Sequence, residues 1–191
     1  MQRDFSAVWS GEQSIAEMAA RIGLADLRTM ADEIVDEELA LIEGAVDEDV
    51  VFVPDDPEAD DPGAGGEEAT EGWTLGHVVV HVTAGSEEGA ATALTLARGA
   101  PVEGRPRYET PWERMWTVPQ VVQRLEESRR MRLAMLAAWP DEPDLATTIV
   151  LVEQFGPLNA VGRYLLGLMH EDGHLAQIAE IMRQARLARG A

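Results

Sequence analysis

From about Ser14 onward, apolar residues recur at helical spacing. Ile15, Ala19, Ile22, Leu27, Met30, Ile34, Leu41 and Ala45 fall on one face, and acidic residues fill the other. The pattern predicts a first helix that closes at Gly44, with an interruption near Gly23, and leaves residues 1–10 as a short lead-in. Residues 48–72 are rich in proline, glycine and acids, which excludes a core helix, although Asp49 to Val53 has the make-up of a short extended piece. A second helix is expected to start at Thr74, placed as its N-cap. It runs through the valine-rich 78–82 and the small residues 89–93 and stops at Gly99.

A second loop, 99–117, carries three prolines, two tryptophans and three arginines. A third helix from Pro119 to Ala138 turns Val121, Val122, Leu125, Leu133 and Leu136 inward and ends at Trp139-Pro140, since proline cannot continue the hydrogen-bond ladder. A polar linker leads to Gly156-Pro157, where a last helix is expected to begin and run to Ala188. Strand-like alternation is nearly absent. These elements predict an all-α four-helix bundle, one domain over 1–191, with a long acidic loop between the first two helices.

Charge narrows the partners. The 191 residues carry a formal charge of −20, and residues 47–71 hold 11 of the 35 acidic side chains and none of the 15 basic ones. Such a field repels phosphate backbones and anionic membrane surfaces, so neither nucleic acid nor membrane is an expected partner. The acidic segment itself reads as a solvated loop. No apolar stretch approaches the ~20 residues of a membrane span, and the N-terminus lacks the basic start and apolar core of a signal peptide; the expected location is the cytoplasm. With no cysteine in the chain, there is no disulfide, no thiolate ligand and no cysteine nucleophile. Any thiol chemistry must use a small-molecule thiol.

All four histidines fall into two copies of HxxxH, His77 with His81 and His170 with His174. Side chains four apart share a helix face, and neutral imidazole is the commonest metal ligand. On the last helix Leu166, His170, His174, Gln177 and Ile181 line one face. Two imidazoles on a core-facing stripe are costly to bury unless paired, and coordination supplies a partner. A third ligand would come from the 77/81 pair, leaving a position open for water or substrate. Nitrogen ligation suits zinc or nickel first, with manganese, iron or cobalt as further candidates. The plainer alternative is two pairs of surface histidines.

Other residues carry double readings. His77 is either a helix-start residue stacked beside His81 or an extra ligand. Gln177 is a hydrogen-bond partner for His174 or an ordinary polar residue. Gly173 costs a helix interior up to ~1 kcal/mol, which a close approach would rationalise. Residues 170–174 also spell the HExxH of zinc proteases, with Glu171 as the base, but that site needs a sheet edge which this chain does not predict. Outside that reading, Glu171 is a solvated or supporting carboxylate. Trp112, Trp116 and Arg114 either cover a pocket or pack their loop down. Arg129, Arg130 and Arg132 read as a solvated face, one of them a candidate for binding a substrate carboxylate.

Trp73-Thr74 followed by His81-Val82 on the second helix, with His170-x-x-x-His174-x-x-Gln177-Ile178 on the last, resembles the DinB/YfiT-like family over about residues 24–188. That family comprises bacterial four-helix bundles holding a divalent metal through three histidines. It includes bacillithiol S-transferases and a mycothiol-dependent maleylpyruvate isomerase. The resemblance implies His81, His170 and His174 as ligands, since His77 sits one turn too early. It also implies a low-molecular-weight thiol such as mycothiol as co-reactant, a small-molecule substrate, and pairing into a homodimer. The expectation is therefore a metal-dependent enzyme of the thiol S-transferase or isomerase type. The alternatives are a metal-hydroxide hydrolase with the same ligands and a non-catalytic helical protein that binds metal or a partner.

Overall fold

The structure, a computed structural model, describes residues 3–56, 72–104, 106 and 110–190. The chain opens with α1 (Ser6–Trp9) and α2 (Ile15–Ala19), followed by α3 (Leu24–Leu41), α4 (Asp47–Val50) and α5 (Leu75–Ala97). Next come α6 (Val118–Ala137), α7 (Ala160–Gly173) and α8 (Leu175–Ala188). Each of α3 and α5 packs against both α6 and α7, so α3 and α5 take diagonal corners of a bundle and α8 prolongs α7. The described residues contain no strand, only an isolated antiparallel bridge between Ile149 and Leu158. No helix among them is long and apolar enough to cross a membrane. The expected all-α bundle is what the chain forms.

Local chemistry sets the boundaries. Thr74 accepts a hydrogen bond from the His77 amide at 3.2 Å and starts α5 as its N-cap. Gly99 ends that helix with φ +70°, the left-handed conformation a glycine adopts without penalty. Gln120 reaches back to accept from the Thr117 amide at 3.0 Å and opens α6. At the expected interruption, the Gly23 amide donates to Asp26 at 3.0 Å and α3 starts afresh. The tightest seam joins α5 to α7. A Cβ on Gly89 would lie 3.3 Å from the Cα of Gly167, and one on Gly167 would lie 3.4 Å from the Cα of Ser86. Only residues without side-chain bulk allow the two backbones this close.

Several expectations are corrected. Residues 1–10 are more than a lead-in where described, because Phe5 and Val8 of the α1 region are buried in the core. The piece expected to be extended at Asp49 to Val53 begins instead as the last residues of α4, its start held by a 3.0 Å bond from the Val46 amide to Asp49. The last helix begins at Ala160, not at Gly156-Pro157, because Leu158 is paired with Ile149 and Asn159 then caps the helix by accepting from Gly162 at 3.0 Å. Nor is that helix continuous. It breaks at His174, whose amide bonds the Glu171 carbonyl three residues back at 3.0 Å, a tightened turn following Gly173. The middle of the expected 48–72 loop, residues 57–71, lies outside the described residues, as do Arg105 and 107–109 of the 99–117 loop.

The largest correction concerns Arg132, expected on a solvated face. It is 0% exposed and pairs with Glu171, itself 0% exposed, in the middle of the bundle. Ser86 donates a hydrogen bond to the same carboxylate at 2.8 Å. Glu38 completes the cluster from α3: burial, followed by the charge of Glu171, holds its carboxyl well above the ordinary range, with Arg132 pulling the other way. Burial works against the Arg132 guanidinium, but the surrounding Glu171, Tyr164 and Glu38 raise it all the same. Two buried carboxyls beside one guanidinium oppose each other's ionisation, and Glu38 is the one that holds its proton more tightly than usual. By contrast Arg129 reaches outward to Asp36 at 2.8 Å, and Arg130 is exposed.

Candidate metal centre

His81 projects from α5, His170 from α7, and His174 from the turn between α7 and α8. Each is half-buried, and each offers a ring nitrogen within 4.8 Å of the others. Ring centroids stand 4.9 Å apart for His81–His170, 5.3 Å for His81–His174 and 4.9 Å for His170–His174. The break at His174 matters here, because the tightened turn sets the direction from which that ring meets the other two. The two Nε2 atoms of His81 and His170 lie 3.1 Å apart. Lone pairs that face each other at such a distance need something positive between them, a proton or a cation. Two imidazoles on one cation at ~2.0–2.1 Å would stand about 2.9–3.4 Å apart. The spacing and the donor set therefore fit a divalent metal.

The surroundings are half aromatic and half polar. Trp73 covers the group, with its ring edge-on to His81 at 4.8 Å and nearly parallel to His174 at 6.1 Å. His77 is sandwiched between Trp73 at 4.3 Å and Trp112 at 4.7 Å, with both pairs stacked. It therefore stands outside the three-histidine group, in the place of a helix-start residue stacked near His81. Trp112 reaches it because its loop is pressed onto the first turn of α5, where a Cβ on Gly76 would come within 2.8 Å of Met115. In that loop Met115 is buried and does the packing expected of the tryptophans. Trp112 covers His77, whereas Trp116 is 60% exposed and Arg114 is exposed.

On the polar side, the Nδ1 of His174 meets the Oε1 of Gln177 at 2.8 Å, and the Gln177 amide donates to Asp56 at 3.0 Å. A cavity of about 300 Å³ opens here, bordered by Asp55, Asp56, Trp73, His174, Gln177 and Ile181. Asp56 escaped the sequence reading because nothing in its spacing links it to His174, which lies 118 positions away. Glu171 is fully buried, with one carboxylate oxygen held by Arg132 and Ser86, and it stands outside the three-histidine group, at which the general base of a zinc protease would have to be. Gly173 lies against the Trp9 side chain of α1, which a Cβ there would touch at 3.4 Å, and it borders the cavity.

The family model for the DinB superfamily matches residues 14–178, a span that includes all three clustered histidines. No curated protein and no solved structure matches the chain.

Proposed function

The chain belongs to the DinB superfamily, and on that premise we propose that His81, His170 and His174 hold a divalent metal in a metal-dependent enzyme of the thiol S-transferase or isomerase type. The observation that carries the reading is the meeting of three imidazoles, from regions of the sequence almost 90 residues apart, beside a cavity of small-molecule size. Three protein nitrogens leave a coordination position for a reactant, the pattern of catalytic centres; structural ones are closed by four. A divalent cation there would supply Lewis acidity, sufficient to keep a bound thiol ionised near neutral pH. Because the chain has no cysteine, that thiol is a small molecule. Trp73 shields one side of the centre from water, and Gln177 orients His174 on the other.

The first test is elemental analysis of purified protein beside His81→Ala and His170→Ala. The expected result is about one equivalent of zinc or nickel that both variants lose; unchanged metal content would end the ligation reading. The second test is turnover of an electrophile by metal-loaded protein with mycothiol, bacillithiol or glutathione. If added thiol changes nothing, the transferase reading falls and the metal reading stands by itself.

A further inference from the structure

Histidine presents a metal with one nitrogen only if its other nitrogen carries the proton, and neither the tautomer nor the orientation of a glutamine amide is set by shape alone. Here a third group settles both. Asp56 meets Gln177 at 3.0 Å, and an ionised carboxylate only accepts hydrogen bonds, so the Gln177 amide must turn its NH2 towards it. The Gln177 carbonyl oxygen is then left to face His174 Nδ1 at 2.8 Å, and an oxygen there requires a proton on that nitrogen. His174 Nε2 is left with a lone pair.

The same segment is fastened a second time. Gln184, two turns along α8 from Gln177, accepts from the Asp55 amide at 2.9 Å and donates to the Asp55 carbonyl at 2.9 Å. Two amides on one face of α8 thus pin residues 55–56 beside the cavity and the histidines. We propose that Asp56 and Gln177 are positioning residues that select Nε2 of His174 as its ligating atom, and that metal occupancy in turn tightens the docking of residues 55–56 on α8. The proposal rests on the metal reading above. Its second half follows from reciprocity: if docking favours the metal-competent tautomer, a metal that captures this tautomer must favour docking by the same factor.

Three measurements on the full chain test this. Imidazole nitrogen NMR of zinc-free protein, at a pH where histidines are neutral, should show His174 protonated at Nδ1; Gln177→Ala should redistribute it towards Nε2–H. Zinc affinity, read by competition with a chromophoric chelator, should fall about 10–100-fold in Gln177→Ala. In Gln177→Glu, which retains an acceptor for Nδ1–H but repels Asp56, affinity should stay within a few-fold of the parent. Hydrogen exchange at the Asp55 amide should slow on adding zinc to the parent protein, and this slowing should vanish in Gln177→Glu. An unchanged His174 tautomer together with unchanged zinc affinity in Gln177→Ala overturns the relay, and exchange at Asp55 that is indifferent to zinc overturns the coupling. If the parent binds no zinc, the metal reading fails, while the tautomer measurement on zinc-free protein still decides the relay. Should Gln177→Ala not fold, Asp56→Asn serves in its place, because an asparagine can face Gln177 with either end and so frees the amide to turn over.

Discussion

His170 and Glu171 are consecutive residues on α7, yet they belong to two polar clusters of opposite character. One step along a helix turns a side chain by about 100°. His170 points to a half-buried group of three imidazoles beside a cavity, whereas Glu171 points into the bundle and is sealed against Arg132, Ser86 and Glu38. The sealed cluster has no route to a substrate: Arg132 and Ser86 meet one oxygen of Glu171, and Glu38 is buried beside them. The half-open cluster has three imidazoles whose ring nitrogens lie within 4.8 Å of one another, and an adjoining space. Exposure and the presence of an internal counter-charge separate a structural polar group from a reactive one here, although adjacent residues of one helix contribute to each.

The largest effect should come from the sealed side. Arg132→Ala strands two buried carboxyls without their cation and should cost about 3–5 kcal/mol in urea unfolding; a loss under about 1 kcal/mol would show that water reaches the cluster and that the contrast is false. Glu171→Gln retains an acceptor for Ser86 but removes the charge, for an expected loss of about 1–3 kcal/mol. Its metal content should match the parent, and depletion would place Glu171 in the metal centre after all.

A smaller effect, with a definite sign, belongs to Glu38. Its carboxyl is raised above 4.5 in the folded protein, so the native state holds a proton that the unfolded chain has given up. The stability this provides is fully present below about 4.5 and is lost as pH rises through the folded value. Glu38→Gln, neutral at every pH, should therefore gain on the parent as pH increases from 4.5 upward in paired denaturation curves. Curves that stay parallel would mean that Glu38 is ionised in the fold. The smallest effect is expected at His77→Phe, which preserves the ring stack with Trp73 and Trp112. Stability should change by under about 1 kcal/mol and metal content not at all; metal loss would make His77 part of the centre.

The helices on which these residues sit were legible from periodicity and end signals: Thr74 and Gly99 bracket α5 as read, and the expected Pro119 to Ala138 matches α6 to within a residue at each end. Two of the failures came from partners outside the local helix pattern. Ile149 paired with Leu158 and delayed the last helix, and Glu171 drew Arg132 inward from a face that local pattern left polar. The two HxxxH spacings singled out all four histidines, yet spacing on one helix cannot tell which ring of a pair will meet rings on another. Gln177 was visible as one turn beyond His174, whereas Asp56 was not.

The amino-acid order by itself determined an all-helical chain, the approximate extent of its long elements, and the few residues able to bind a cation. Those properties depend on interactions within a turn or two of helix. Tertiary structure alone decided that Glu171 and Arg132 are sealed together and that Asp56 reaches Gln177, and it brought His81, the histidine the family resemblance implied, to His170 and His174. Each of these depends on the distance and rotation between packed elements. That geometry is fixed by the fit of whole faces, such as Gly89 against Gly167, and no local spacing encodes it.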